Sequence, residues 1–230
     1  MGQRVTYRGD RGTSEGYLAL PAASRANGAP AVIVIHEWWG VVPHITAVAD
    51  RFADEGFIAL VPDLYRGIES REPDAAGKLL MGLAMDQAAQ EVAQAARYLR
   101  ARPEVTGKVG VVGFCVGGSL ALWSATRSED IVAAVGFYPL LPWERMSPSW
   151  SDYVGKIAMI HCAEEDGDSA TAGVQVVKRC IEQAGGKCVL YDYPGTRHAF
   201  FNDDRPHAYD RAASVRAWAR TLELLRSELG

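Results

Sequence analysis

The chain has 230 residues, 48% of them hydrophobic and 23% charged, and a formal net charge of −4. That length and apolar content fit a single domain, residues 1–230, with a sizeable core. The slight acidity, with both signs interspersed and no basic face implied, argues against nucleic acid or an anionic membrane as partner.

The start of the chain, Met1-Gly2-Gln3-Arg4-Val5-Thr6-Tyr7, has no apolar signal core. Short strands are predicted at Val5–Arg8 and Gly16–Leu20, joined by a turn around Gly9-Asp10-Arg11-Gly12. Ala31-Val32-Ile33-Val34-Ile35 is a continuous apolar run, the signature of a strand covered on both faces. A helix over about 44–55 stops at Gly56, and Phe57–Val61 reads as the next buried strand. A long helical stretch, about 75–101, has possible breaks at Gly77 or Gly82. Lys108–Gly113 is a strand, Val116–Thr126 a helix, and Ile131–Phe137 and Lys156–His161 are two further apolar strands. Tyr138–Val154, rich in Pro, Trp and Ser, reads as a long loop. A helix over about 170–184, a last strand Lys187–Tyr193, and a closing helix with a stripe of Val215, Trp218, Leu222 and Leu225 complete the pattern. No run is long enough to span a membrane.

Strands alternating with helices predict an α/β fold: a mostly parallel central sheet of about eight strands with helices on both faces. Right-handed crossovers bring the carboxyl ends of the strands to one edge, where ligands of open α/β sheets bind. The chemically interesting residues follow strands: His36-Glu37-Trp38, Cys115, Asp166 and His198.

Gly113-Phe114-Cys115-Val116-Gly117-Gly118 is the most specific of these. It reads as strand, sharp turn, helix, and matches the nucleophile elbow G-x-S-x-G with Cys for Ser. It matches neither the phosphate-binding G-x-x-x-x-G-K-[ST] nor the dinucleotide-binding G-x-G-x-x-G, so no cofactor is expected, and no metal. Nucleophile, acid and His then follow in the chain order of an α/β-hydrolase. Cys115 is the candidate nucleophile and His198 the base that later returns the proton. Asp166 orients the imidazole, in competition with Asp168, Glu165 and Glu164 in the same acidic turn. The backbone N–H groups of Val116 and Trp38 are the candidate oxyanion hole. Trp39, Tyr65, Tyr138, Trp143, Phe200 and Arg197 are candidates for the substrate pocket. The other cysteines, Cys162, Cys180 and Cys188, form no C-x-x-C pair and read as reduced thiols of a cytoplasmic protein.

These pieces together resemble the dienelactone hydrolase family of α/β-hydrolases. The resemblance is carried by His36-Glu37-Trp38-Trp39-Gly40, Pro62-Asp63-Leu64-Tyr65, Gly107–Gly118, Glu165-Asp166 and Tyr193-Pro194-Gly195-Thr196-Arg197-His198-Ala199-Phe200, in order along nearly the whole chain. It implies a Cys-His-Asp triad on Cys115, His198 and Asp166, an acyl-cysteine intermediate, and an ester or lactone as small-molecule substrate. It also implies that Glu37 contacts the thiol and helps control its ionisation. Family members that open dienelactones hold the substrate carboxylate with arginines, and those positions depart here. Ala199-Phe200-Phe201-Asn202-Asp203 carries no Arg before Arg205, and the region ahead of the elbow strand has Lys78-Leu79-Leu80-Met81. Arg197, Lys78 or Arg66 are the substitutes to consider, and neutral, apolar esters are the expected substrates. Two alternatives stay open: a non-catalytic hydrolase-fold binding protein, and a thiol redox sensor acting through Cys115. The assembly is expected to be a monomer or small homo-oligomer.

Overall fold

The computed structural model describes residues 1–9, 12–22, 28–140 and 146–230, with the side chains of Asp168 and Ser169 excepted. The strands are β1 (Gln3–Gly9), β2 (Gly12–Ala19), β3 (Ala29–Ile35), β4 (Ile58–Pro62), β5 (Val105–Phe114), β6 (Ile131–Phe137), β7 (Ile157–Ala163) and β8 (Lys187–Tyr193). The helices are α1 (Pro43–Asp54), α2 (Pro73–Gly82), α3 (Met85–Arg100), α4 (Val116–Ser124), α5 (Gly167–Gln183) and α6 (Arg211–Leu229). One sheet runs in the order β1-β2-β4-β3-β5-β6-β7-β8. The β1–β2 and β2–β4 pairs are antiparallel, and every pair from β4 to β8 is parallel.

The two-residue period of a strand divides its side chains between two cores. On β3, Val32 and Val34 join the core with Phe52 of α1 and Leu225 of α6. Ala31, Ile33 and Ile35 point the other way, into a core shared with Val92 of α3, Leu120 of α4 and Val177 of α5. This is why the run reads as apolar without alternation. Side chains such as Ile33 and Phe52 are fully buried, and each contributes roughly 1.5–3 kcal/mol by leaving water.

One helical expectation is settled by packing, at Gly82, and another is corrected at one residue. The stretch from 75 to 101 is two helices: α2 ends at Gly82, and Leu83 turns extended with φ −71° and ψ 120°. Ala76 is the buried residue of α2, so this helix lies on the surface near the carboxyl edge. In α6, Val215 faces outward at 61% exposure. Leu222 and Leu225 of the expected stripe are buried and Trp218 packs against the same core, where Ala213, Ala217 and Thr221 join them. Small and hydroxylated residues reach the sheet there, which an apolar-stripe reading passes over. No helix among the described residues is long and apolar enough to cross a membrane.

Candidate active site

The elbow is set by backbone packing. β5 ends at Phe114 and α4 starts at Val116, leaving Cys115 between them at φ 57° and ψ −121°. A non-glycine residue held in such a conformation stores about 1–3 kcal/mol of strain. It is held by two bonds: the Cys115 amide donates to the Phe137 carbonyl at 3.0 Å, and the Gly118 amide donates to the Cys115 carbonyl at 3.0 Å. The flanking glycines let β3 and β5 approach the helix start. A Cβ on Gly117 would come within 2.5 Å of the His36 carbonyl oxygen. Val116 is the first residue of α4, where an amide has no partner inside the helix.

The acid and the His come from adjacent strand ends. A single 3-10 turn, Glu164–Asp166, follows β7, and the loop after β8 carries His198. Two bonds hold them together: the Glu165 amide donates to the Thr196 carbonyl at 3.1 Å, and the Gly195 amide donates to the Glu164 carboxylate at 2.6 Å. Across this junction, His198 Nδ1 lies 2.6 Å from Asp166 Oδ1. Burial alone would push the His198 pKa down. Its hydrogen bonds to Asp166 and Cys115, with the charges on both, prevail and raise it to about 10. The imidazole therefore favours its cation, with Asp166 on one nitrogen and the sulfur on the other.

Glu37 follows β3 and is 1% exposed. Its Oε2 accepts from the Asn202 amide nitrogen at 2.6 Å, and its Oε1 accepts from the Tyr138 hydroxyl at 3.3 Å. The Tyr138 phenol is held far above its usual pKa by burial, then by the negative charges of Glu37 and Cys115, so it stays a donor. Tyr138 is itself strained at φ 37°, and its ring stands edge-on to His198 at 5.0 Å between centroids. Neither grip on Glu37 was legible in the sequence. A polar Asn202 directly after Phe200-Phe201, on a loop required to reach the site, is the one signal available.

Cys115, His198 and Glu37 open on a cavity of about 250 Å³. Its remaining walls are Trp38, Trp39, Leu80, Leu140 and Ala199, with Arg205 among them.

The dienelactone hydrolase family model matches residues 14–229. The chain belongs to the dienelactone hydrolase family. Among its relatives, protein usf of Aquifex pyrophilus is 32% identical, over 100% of both chains. Carboxymethylenebutenolidase 1 of Cupriavidus pinatubonensis is 30% identical, over 97% of this chain and 95% of its own. A solved dienelactone hydrolase-like promiscuous phosphotriesterase from metagenomic libraries shares the fold at TM-score 0.82 and 23% identity, covering 100% of this chain and 99% of that one. This dienelactone hydrolase family member is thus a hydrolase of ester or lactone bonds.

Its pocket departs from the sequence expectation at several residues. Trp39 is on the wall, and Leu80 and Arg205 join it unforeseen. Tyr65, Tyr138 and Phe200 are 6%, 0% and 0% exposed and stand behind the wall. They pack on His36, His198 and Tyr193 respectively, each ring supporting a residue at a strand end. Arg197 points away, toward Glu165 at 3.2 Å, and Arg66 is engaged by Glu91 at 2.8 Å. Lys78 is exposed and does not line the cavity. Trp143 lies outside the described residues, as does the side chain of the competing acid Asp168.

Proposed function

We propose that this protein cleaves esters or lactones through an acyl-cysteine intermediate on Cys115, with His198 and Asp166 as base and orienting acid. The observation that carries this reading is the 2.6 Å His198–Asp166 bond beside a thiol held at φ 57° on the elbow. The Cys115 thiolate attacks the carbonyl carbon, forming a C–S bond while the carbonyl electrons move to oxygen. The amides of Val116 and Trp38 receive that oxyanion. Collapse breaks the C–O bond, and the leaving oxygen takes the proton from His198. His198 then deprotonates a water that attacks the thioester, breaking the C–S bond and returning the thiolate. Asp166 keeps the imidazole in register through both steps.

Glu37 is assigned as the group that modulates the thiol, with Asn202 and Tyr138 as its positioning residues. Two neutral donors hold its carboxyl on the cavity wall that it shares with the thiol. The mostly apolar walls favour a small, neutral acyl group in the pocket. The four free cysteines, Cys115, Cys162, Cys180 and Cys188, support a cytoplasmic setting.

The test is intact-mass spectrometry after mixing with a slowly deacylating aryl ester. A mass increase equal to the acyl group, mapped to Cys115 and absent in Cys115→Ala, is expected. Steady turnover by Cys115→Ala with its fold intact would refute the assignment.

A further inference from the structure

A second histidine–carboxylate pair lies outside the chemistry above. His44, in the first turn of α1, has its Nδ1 2.8 Å from Oδ1 of Asp203, 159 positions along the chain. The His44 side chain is 1% exposed and that of Asp203 60%. A carboxylate only accepts, so Nδ1 carries the proton and donates. The ring stands edge-on to Phe114 and Phe201, each 6.3 Å away between centroids. Its Nε2 is buried with no hydrogen-bond partner among the described residues, and a buried polar atom left so is costly. A phenylalanine would pack there without that cost, so the bond at Nδ1 is what a histidine adds. Arg51, farther along α1, lies 5.1 Å from the Phe201 ring centroid, and the charge of Asp203 acts on it.

The two chain neighbours of Asp203 show what this bond holds. The Asp204 amide donates to Asn202 Oδ1 at 3.0 Å. That turns Asn202 Nδ2 toward Glu37, to whose Oε2 it donates at 2.6 Å. The direction of the Asn202 side-chain amide thus depends on the backbone of Asp204, and Asp203 is the residue between them. We infer that His44 is a positioning residue for Glu37: by holding Asp203 it keeps the Asp204 amide on Asn202 Oδ1, and so keeps the Asn202 donor, not its carbonyl, on the carboxylate. The inference rests on the reading of Glu37 as the group that modulates the Cys115 thiol. Released from His44, the turn leaves the Asn202 amide free to flip and set oxygen against oxygen. A buried carboxylate that loses a donor keeps its charge less readily. Glu37 shares its cavity wall with the thiol, so the loss is felt at the sulfur. The other groups acting on the thiol, His198 and Tyr138, are untouched by this change.

The experiment follows the rate of iodoacetamide alkylation of Cys115 against pH, by peptide mass mapping. Glu37→Gln is the reference: its midpoint should fall, because a negative neighbour opposes the thiolate. His44→Phe, which keeps a ring against Phe114 and Phe201, should move the midpoint in the same direction by about half a pH unit, a part of what one close charge produces. Asp203→Ala, at an exposed position, should match it, and the double variant should go no farther than either alone. Asp203→Asn keeps an acceptor for Nδ1 and loses the charge, so it should stay at the wild-type midpoint. Wild-type midpoints in His44→Phe and Asp203→Ala, with Glu37→Gln shifted, overturn the positioning role alone. A shift in His44→Phe without one in Asp203→Ala makes the ring a matter of packing and overturns it as well. So does an Asp203→Asn midpoint shifted as far as that of Asp203→Ala, which makes charge the cause in place of the bond. An unmoved Glu37→Gln midpoint instead strikes the reading of Glu37 beneath it.

Discussion

The two halves of the site are held in place by different means. On the elbow side, Cys115 is fixed by main-chain bonds and by glycines that no other residue can replace without collision. On the acid–base side, His198 is fixed by one side-chain bond to Asp166, and the pair is partly open, with side-chain exposures of 32% and 16%. The elbow is a property of the fold, and altering its glycines attacks the fold. The acid–base side is a property of a few side chains, so altering them should cost rate and spare structure.

The largest effect should therefore come from Gly117→Ala, whose Cβ has no room against the His36 carbonyl. Loss of soluble, cooperatively folding protein is expected; a normal thermal melt would break the comparison. Cys115→Ala replaces the thiol without touching those contacts, so turnover should vanish while the melt stays close to wild type. Next, His198→Ala should lower kcat by several orders of magnitude, and Asp166→Asn by about 10⁴ through the wrong tautomer. Both should still fold and melt cooperatively, unlike Gly117→Ala. If Asp166→Asn is mild and Asp168→Asn severe, the acid is misassigned.

A smaller effect is expected in the pH dependence of stability. Folding raises the His198 pKa from 6.5 to about 10, so the fold favours the cation. That stabilisation is complete below about pH 6.5 and is lost as pH rises through about 10. The melting temperature of the wild type, relative to His198→Ala, should decline across that window. A flat difference would mean that the imidazole is not paired as described. The smallest effect sharpens the comparison: Asn202→Asp puts a second carboxylate against Glu37. It should shift the pH profile of kcat/KM and lower it about tenfold, with recovery in Asn202→Gln. A drop without a shift in profile would reduce Asn202 to packing.

Much of this was legible because strand ends are legible. Ile131–Phe137 and Lys187–Tyr193 were readable to the residue from their apolar content, and the elbow and the His loop follow such ends. Contacts that cross the chain were not. Asn202 and Tyr138 meet Glu37 across 165 and 101 positions. Arg205 was passed over because it lies farther beyond His198 than the arginine the resemblance implies. Instead, two successive turns, Asn202 to Ala199 and Arg205 to Asn202, curl it back onto the site. Tyr65 and Phe200 misled in the opposite sense: an aromatic at a strand end can prop a neighbour as readily as face a ligand.

The loop that carries His198 is moored to α6. The Phe200 carbonyl accepts from the Asp210 amide and from the Ser214 hydroxyl, each at 2.9 Å, and Asp210 caps the helix by accepting from the Ala213 amide at 2.8 Å. During synthesis the thiol emerges nearly a hundred residues before this mooring exists. A growing chain thus carries its sulfur early and gains a seated base only when the final helix docks. Shortening the chain before Ser214 would unseat the His198 loop and also bare the core that Leu222 and Leu225 cover, so hydrolysis itself would report that the last helix had closed.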